Sequence, residues 1–167
     1  MINNPVVEAM APADWEAVAR IYQEGIATGE ATFETAAPSW ESWDGGHLPF
    51  ARLVARETGE IVGWAALSPV SQRAAYAGVT EVSVYVAEVW RGRGVGRALL
   101  ERLISESEAN GVWTLQAVVF SANAATLALH KGCGFREVGR RERIGKLHGE
   151  WRDTILLERR SKKVGID

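Results

Sequence analysis

The chemistry in this chain concentrates first at Arg91-Gly92-Arg93-Gly94-Val95-Gly96-Arg97, three arginines and three glycines within seven positions. Glycines let a backbone approach a ligand closely and aim successive N–H groups outward. A helix that follows such a turn opens with unpaired N–H groups and the positive end of its dipole. The turn therefore suits a phosphate or pyrophosphate. Two further residues are suited to proton transfer. Glu81 stands in the otherwise apolar stretch Val79-Thr80-Glu81-Val82-Ser83-Val84, where an unpaired buried carboxylate would be costly. It is either a proton acceptor or one member of an exposed strand face shared with Ser83 and Tyr85. His130 closes a helical segment, as a cation against the helix dipole or as an acid–base group titrating near neutrality.

Two common phosphate loops do not match. A Walker loop ends in Gly-Lys-Ser/Thr, which Val95-Gly96-Arg97 does not supply. The dinucleotide fingerprint needs a third glycine three places after the second, and Arg97 occupies it.

The elements that must position these groups follow from periodicity. Val6 to Met10 reads as a strand, and Pro12 opens a helix with Trp15, Val18, Tyr22 and Ile26 at helical spacing. Thr28 to Pro49 has no sustained period and holds at most a short helix. Phe50–Arg56 and Ile61–Leu67 flank Glu57-Thr58-Gly59-Glu60 as a hairpin. Val79–Val86 is a strand, and Val95, Leu99 and Leu103 stripe the helix after the glycine turn. Val112–Phe120 is a strand and Asn123–Lys131 a helix ended by Gly132 and Gly134. Phe135 to Leu157 suggests two more strands around Gly145–Gly149. The class is mixed α/β.

Composition sets the outer bounds. The chain has 167 residues, read as a single domain over 1–167. Its 19 Lys+Arg against 21 Asp+Glu leave a net charge of −2, which argues against nucleic acid or membrane as a partner. Hydrophobic residues at 47% exclude a disordered chain. No apolar run reaches the ~20 residues of a membrane span, and Met1-Ile2-Asn3-Asn4-Pro5 lacks the pattern of a signal peptide. Cys133 is the single cysteine, so no internal disulfide framework or thiolate metal cluster is expected. A cytoplasmic protein without a metal is the expectation. His47 reads as surface loop.

Arg91-Gly92-Arg93-Gly94-Val95-Gly96 after a Val-rich strand resembles the pyrophosphate loop of the GNAT acyltransferases, which bind acetyl-CoA. The resemblance extends over nearly the whole chain. Ile21-Tyr22-Gln23-Glu24, Ala31-Thr32-Phe33, Glu81 to Val86, Asn123 to His130, Gly134-Phe135 and Gly149-Glu150-Trp151-Arg152-Asp153 are similar to the phosphinothricin/methionine sulfoximine N-acetyltransferase branch. That resemblance implies a mostly antiparallel sheet of about six or seven strands flanked by helices. It implies acetylation of the α-amine of a small amino acid or glutamate analogue, by direct attack in a ternary complex.

The same resemblance implies roles. Glu81 and His130 become the catalytic pair, with the direction of proton transfer at His130 open. Backbone groups of Val84, Tyr85 and Val86 hold the pantetheine arm, and Arg91 through Arg97 hold the pyrophosphate. Asn123 caps its helix, reaches the pantetheine, or does both. Arg73, Tyr76 and Phe33 are candidates for the acceptor pocket, Arg73 as a bidentate partner for a carboxylate. His148 is a weaker candidate beside them. Ala77 departs from several relatives, which place Arg or Asp after the aromatic. A homodimer is also implied. The alternatives are an acetyltransferase acting on a protein N-terminus or a polyamine, a non-catalytic acyl-CoA-binding module, and a nucleotide-binding protein.

Overall fold

The computed structural model describes residues 4–167. Seven strands form one sheet in the order β1-β2-β3-β4-β5-β7-β6. They are β1 (Val6–Ala9), β2 (Leu53–Glu57), β3 (Glu60–Pro69), β4 (Val79–Val86), β5 (Thr114–Phe120), β6 (Arg136–Leu147) and β7 (Glu150–Arg160). The helices are α1 (Trp15–Ala27), α2 (Trp40–Gly46), α3 (Val95–Ala109) and α4 (Ala124–Gly132). Every strand pairing is antiparallel except β4 with β5. The expected α/β class and largely antiparallel sheet are both present.

Alternation along the strands divides the core into two layers. Leu99, Leu100 and Leu103 of α3 pack with Leu67, Val82, Leu115 and Leu157 on one face. Val18 and Ile21 of α1 and Trp43 of α2 pack with Val54, Trp64 and Ala66 on the other. Burial of each such aliphatic side chain contributes about 1.5–3 kcal/mol. The buried stripe of α1 runs through Val18, Ile21 and Gly25. Tyr22 and Ile26, expected on that stripe, are only partly buried because the stripe is turned towards Ile21. The irregular segment does contain a short helix: the Ser39 hydroxyl accepts from the Ser42 N–H at 3.2 Å and starts α2.

The central irregularity lies between β4 and β5. Their parallel register covers Val79↔Thr114, Thr80↔Leu115 and Glu81↔Gln116 only. β4 stays paired with β3 from Thr80 to Val86. Beyond Glu81, no described strand pairs with the β5 side of β4. The two strands part, and the sheet opens.

Gly78 anchors the closed end of that opening. Its carbonyl accepts the N–H groups of Trp113 (2.9 Å) and Thr114 (3.1 Å), which explains why β5 starts at Thr114 and not at Val112. The Trp113 indole packs against the glycine, so that an added Cβ would fall 2.1 Å from a ring carbon. Gly78→Ala is expected to displace the indole and cost about 1–3 kcal/mol through overpacking. Thermal unfolding should then shift down by about 2–12 °C. An unchanged melting temperature would show that Trp113 yields freely.

Candidate active site

The parting of β4 and β5 opens a cleft of about 900 Å³. Glu81 and the backbone of Val82–Val86 form one wall, with Ala117–Phe120 of β5 on the other. Because β3 satisfies only one side of β4, the main-chain groups of residues 82–86 on the cleft side are free to bind an extended ligand. At one end stand Arg91, Gly92, Gly94, Gly96 and Arg97. Gly94 is the N-cap of α3 with φ +86°, a left-handed conformation that favours glycine. The first bond of α3 runs from Ala98 N–H to the Gly94 carbonyl at 3.1 Å, so the N–H groups of Val95, Gly96 and Arg97 precede the helical ladder. This end is built for an anion.

The arginines divide into different tasks. Arg91 donates from Nε to the Val86 carbonyl at 3.2 Å, tying the turn to the open strand. Arg97 pairs with Glu101 at 2.8 Å across one helical turn and stays largely exposed. Arg93 lies 5.0 Å over the Trp90 ring and does not line the cleft, while the Val95 side chain turns into the core and leaves its N–H at the start of α3.

Glu81 is half-buried, and its Oε1 accepts from Gln116 Nε2 at 2.9 Å. His130 is only 4% exposed and lines the same cleft. Its Nδ1–H donates to the Thr126 carbonyl at 2.8 Å, while Nε2 is buried without a partner. Burial holds its pKa below the ordinary imidazole value, outweighing the hydrogen bond to Thr126. The ring is therefore neutral, with a lone pair on Nε2. Asn123 caps α4: its Oδ1 accepts from Thr126 N–H, while Nδ2 donates to the Glu30 carbonyl, both at 3.1 Å.

The acceptor-side candidates are spread unevenly. Phe33 lines the cleft and meets Phe120 edge-on at 4.8 Å. Its loop is clamped by Arg152, which donates to the Gly29 carbonyl (2.9 Å) and Glu30 carboxylate (2.7 Å) with its guanidinium 4.4 Å over Phe120. Arg73 and Tyr76 lie outside the cleft on the β3–β4 loop, the guanidinium 5.7 Å over the tyrosine ring. His148 is exposed in the β6–β7 turn, also outside it.

Several lining residues escaped sequence reasoning. Tyr22 reaches the cleft and stacks on Tyr85 at 4.8 Å, which in turn stacks on Trp64 at 4.9 Å. Burial raises the pKa of both phenols. Glu34 lines the cleft from an irregular loop that offered no pattern to read. His47, expected as surface loop, is partly buried in the cleft wall and stacked 4.2 Å from Trp43. Its Nδ1–H donates to the Trp43 carbonyl at 2.6 Å, and burial lowers its pKa. An aromatic and a histidine one helical turn apart were the available signal.

Known proteins are similar to this chain in sequence and in fold. The chain is 37% identical over 156 residues to a phosphinothricin N-acetyltransferase of Alcaligenes faecalis, covering 87% of this chain and 77% of that protein. It is 35% identical over 107 residues to an L-methionine sulfoximine/L-methionine sulfone acetyltransferase of Pseudomonas aeruginosa, covering 64% and 62% respectively. The crystal structure of a GNAT superfamily phosphinothricin acetyltransferase from Sinorhizobium meliloti in complex with AcCoA matches with a TM-score of 0.89 at 29% identity. That match covers 99% of this chain and 92% of the other. Residues 15–135 match the Acetyltransferase (GNAT) family model. The matched span takes in the open strand, the glycine turn and His130, and the chain belongs to the GNAT family of acetyltransferases.

Proposed function

We propose that this chain transfers the acetyl group of acetyl-CoA to the α-amine of a small amino acid or a glutamate analogue of the phosphinothricin, methionine sulfoximine or arsinothricin type. One observation supports this reading most. The Glu81 carboxylate and the buried His130 imidazole line the same cleft as the open edge of β4 and the amino end of α3. The residues fit acetyl-CoA well. Val84, Tyr85 and Val86 would hold the pantetheine through main-chain groups, while Gly92, Gly94, Val95 and Gly96 bring N–H groups to the pyrophosphate. Arg91 and Arg97 would add charge there, with Arg93 and Asn123 supporting the turn and α4. Acetyl-CoA supplies an activated thioester; the protein must supply a neutral amine and a proton for the departing thiolate.

Glu81 takes the first proton from the acceptor ammonium, directly or through water. The attacking nitrogen must lose a second proton once it bonds to the acyl carbon. His130 starts neutral, so its Nε2 can take that proton and hand it to the thiolate. One proton leaves with the base, and the other leaves on CoA. Phe33 would wall the acceptor pocket. Arg73, Tyr76 and His148 would reach an acceptor from loops outside the cleft, Arg73 facing its carboxylate. Exposed Val138, Ile144 and Trp151 on the β6–β7 hairpin support a homodimer, and the protein would act in the cytoplasm.

Three measurements test this. Thiol release from acetyl-CoA across amino acids, sulfoximine and phosphinate analogues, polyamines and peptides should be fastest with the amino-acid analogues. Preference for a polyamine or a peptide would reject the acceptor class. Glu81→Gln should lower kcat by about a hundredfold, within the usual range for a lost general base, while leaving acetyl-CoA affinity within twofold. Wild-type kcat in that variant would remove Glu81 as base. Arg91→Glu and Arg97→Glu should each weaken CoA binding about tenfold at low salt and less at high salt, with Arg93→Glu weaker in effect. Equal affinity in all three would remove the pyrophosphate assignment.

A further inference from the structure

Gln116 takes no part in the proposed acetyl transfer, yet it touches the carboxylate on which that transfer turns. It sits on β5 directly across from Glu81, in the last register pair before the two strands part. Its Nε2 donates to Glu81 Oε1 at 2.9 Å in a partly buried contact. Among the described residues this is the one side-chain hydrogen bond the Glu81 carboxylate accepts. Gln116 is itself fixed: Leu115 and Ala117 on either side are buried, and Glu158 of β7 is its register partner on the far flank.

We propose that Gln116 is the positioning residue for Glu81, pinning one carboxylate oxygen so that the other faces the acceptor amine. The proposal rests on Glu81 acting as the base. A glutamate side chain has three rotatable bonds, and a reacting group displaced by about 1 Å can lose on the order of a hundredfold in rate. The strand partner is in place at this residue and gone at the next, so position 116 is the last on β5 in register with β4 and the one opposite Glu81. A neutral amide also suits the task better than an arginine. It orients the carboxylate without adding a positive charge, which would favour the ionised form and weaken it as a proton acceptor.

Gln116→Met keeps the length of the side chain and removes its donor. In the full-length protein, with the amine that the thiol-release panel identifies, kcat should fall tenfold or more. The KM for the acceptor and the Kd for acetyl-CoA should stay within twofold. In a Glu81→Gln background the same change should alter kcat by less than twofold, because the carboxylate it orients is gone. A readout without turnover is the Gln116 side-chain amide signal in 15N–1H spectra, which should move in Glu81→Gln. Wild-type kcat in Gln116→Met, an equal loss in both backgrounds, or an unmoved amide signal would each overturn the proposal while leaving Glu81 as base. Wild-type kcat in Glu81→Gln would remove the base, and Gln116's role with it.

Discussion

A strand in the middle of a sheet has main-chain donors and acceptors on both sides, and each buried one needs a partner. β4 obeys this on its β3 side from Thr80 to Val86 but has β5 beside it only as far as Glu81. The remaining edge must bind water or ligand. This departure from sheet regularity creates the cleft and puts an acidic residue at its apex. It also aims the chain, through a 3-10 turn at Glu88–Trp90, into the glycine loop and α3. The open edge and the anion-binding helix end are thus consecutive in sequence. A ligand that is extended at one end and anionic at the other fits both at once.

A sheet that parts in its middle would be weak unless each bank were held independently. On the α1 side, Tyr22, Tyr85 and Trp64 form a continuous stack, and Trp43 meets Trp64 at 5.7 Å. Such aromatic pairs contribute about 0.5–1.5 kcal/mol each beyond burial. The other bank is tied through β7, whose register with β5 runs unbroken from Thr114 to Phe120. Arg152 then bridges the banks from β7 to the loop after α1. The gap is therefore a stable feature of the fold, bordered by rigid packing and spanned by one ionic clamp.

What could be read before folding was local. The β4 strand, the hairpin about Thr58-Gly59 and the helix after Gly94 all announce themselves through alternation, turn residues or helical spacing within a dozen positions. The glycine turn was legible because its chemistry and its spacing coincide. Glu81 was ambiguous from pattern alone, since strand alternation does not say which neighbour flanks a carboxylate. Gln116 lies 35 residues away and meets it only through a parallel register that no short window contains. That Arg73 and Tyr76 lie outside the cleft was hidden for a related reason. A loop's residue types do not reveal which way the loop folds over the sheet.

His47 and His130 share one local device. Each ring sits one helical turn after the residue whose carbonyl it binds, Trp43 for His47 and Thr126 for His130. That bond commits Nδ1 as a donor, fixes the tautomer and leaves Nε2 with its lone pair. Burial keeps both rings uncharged. Among the residues that line the cleft, the arginines are Arg91 and Arg97, beside the amino end of α3. With Glu81 as the proposed base, a permanent cation directly beside it would repel an arriving ammonium and compete for the carboxylate. A neutral His130, the proposed proton relay, carries no such penalty. A chain of net charge −2 can thus draw a polyanion to one end of its cleft and a cationic amine to the other.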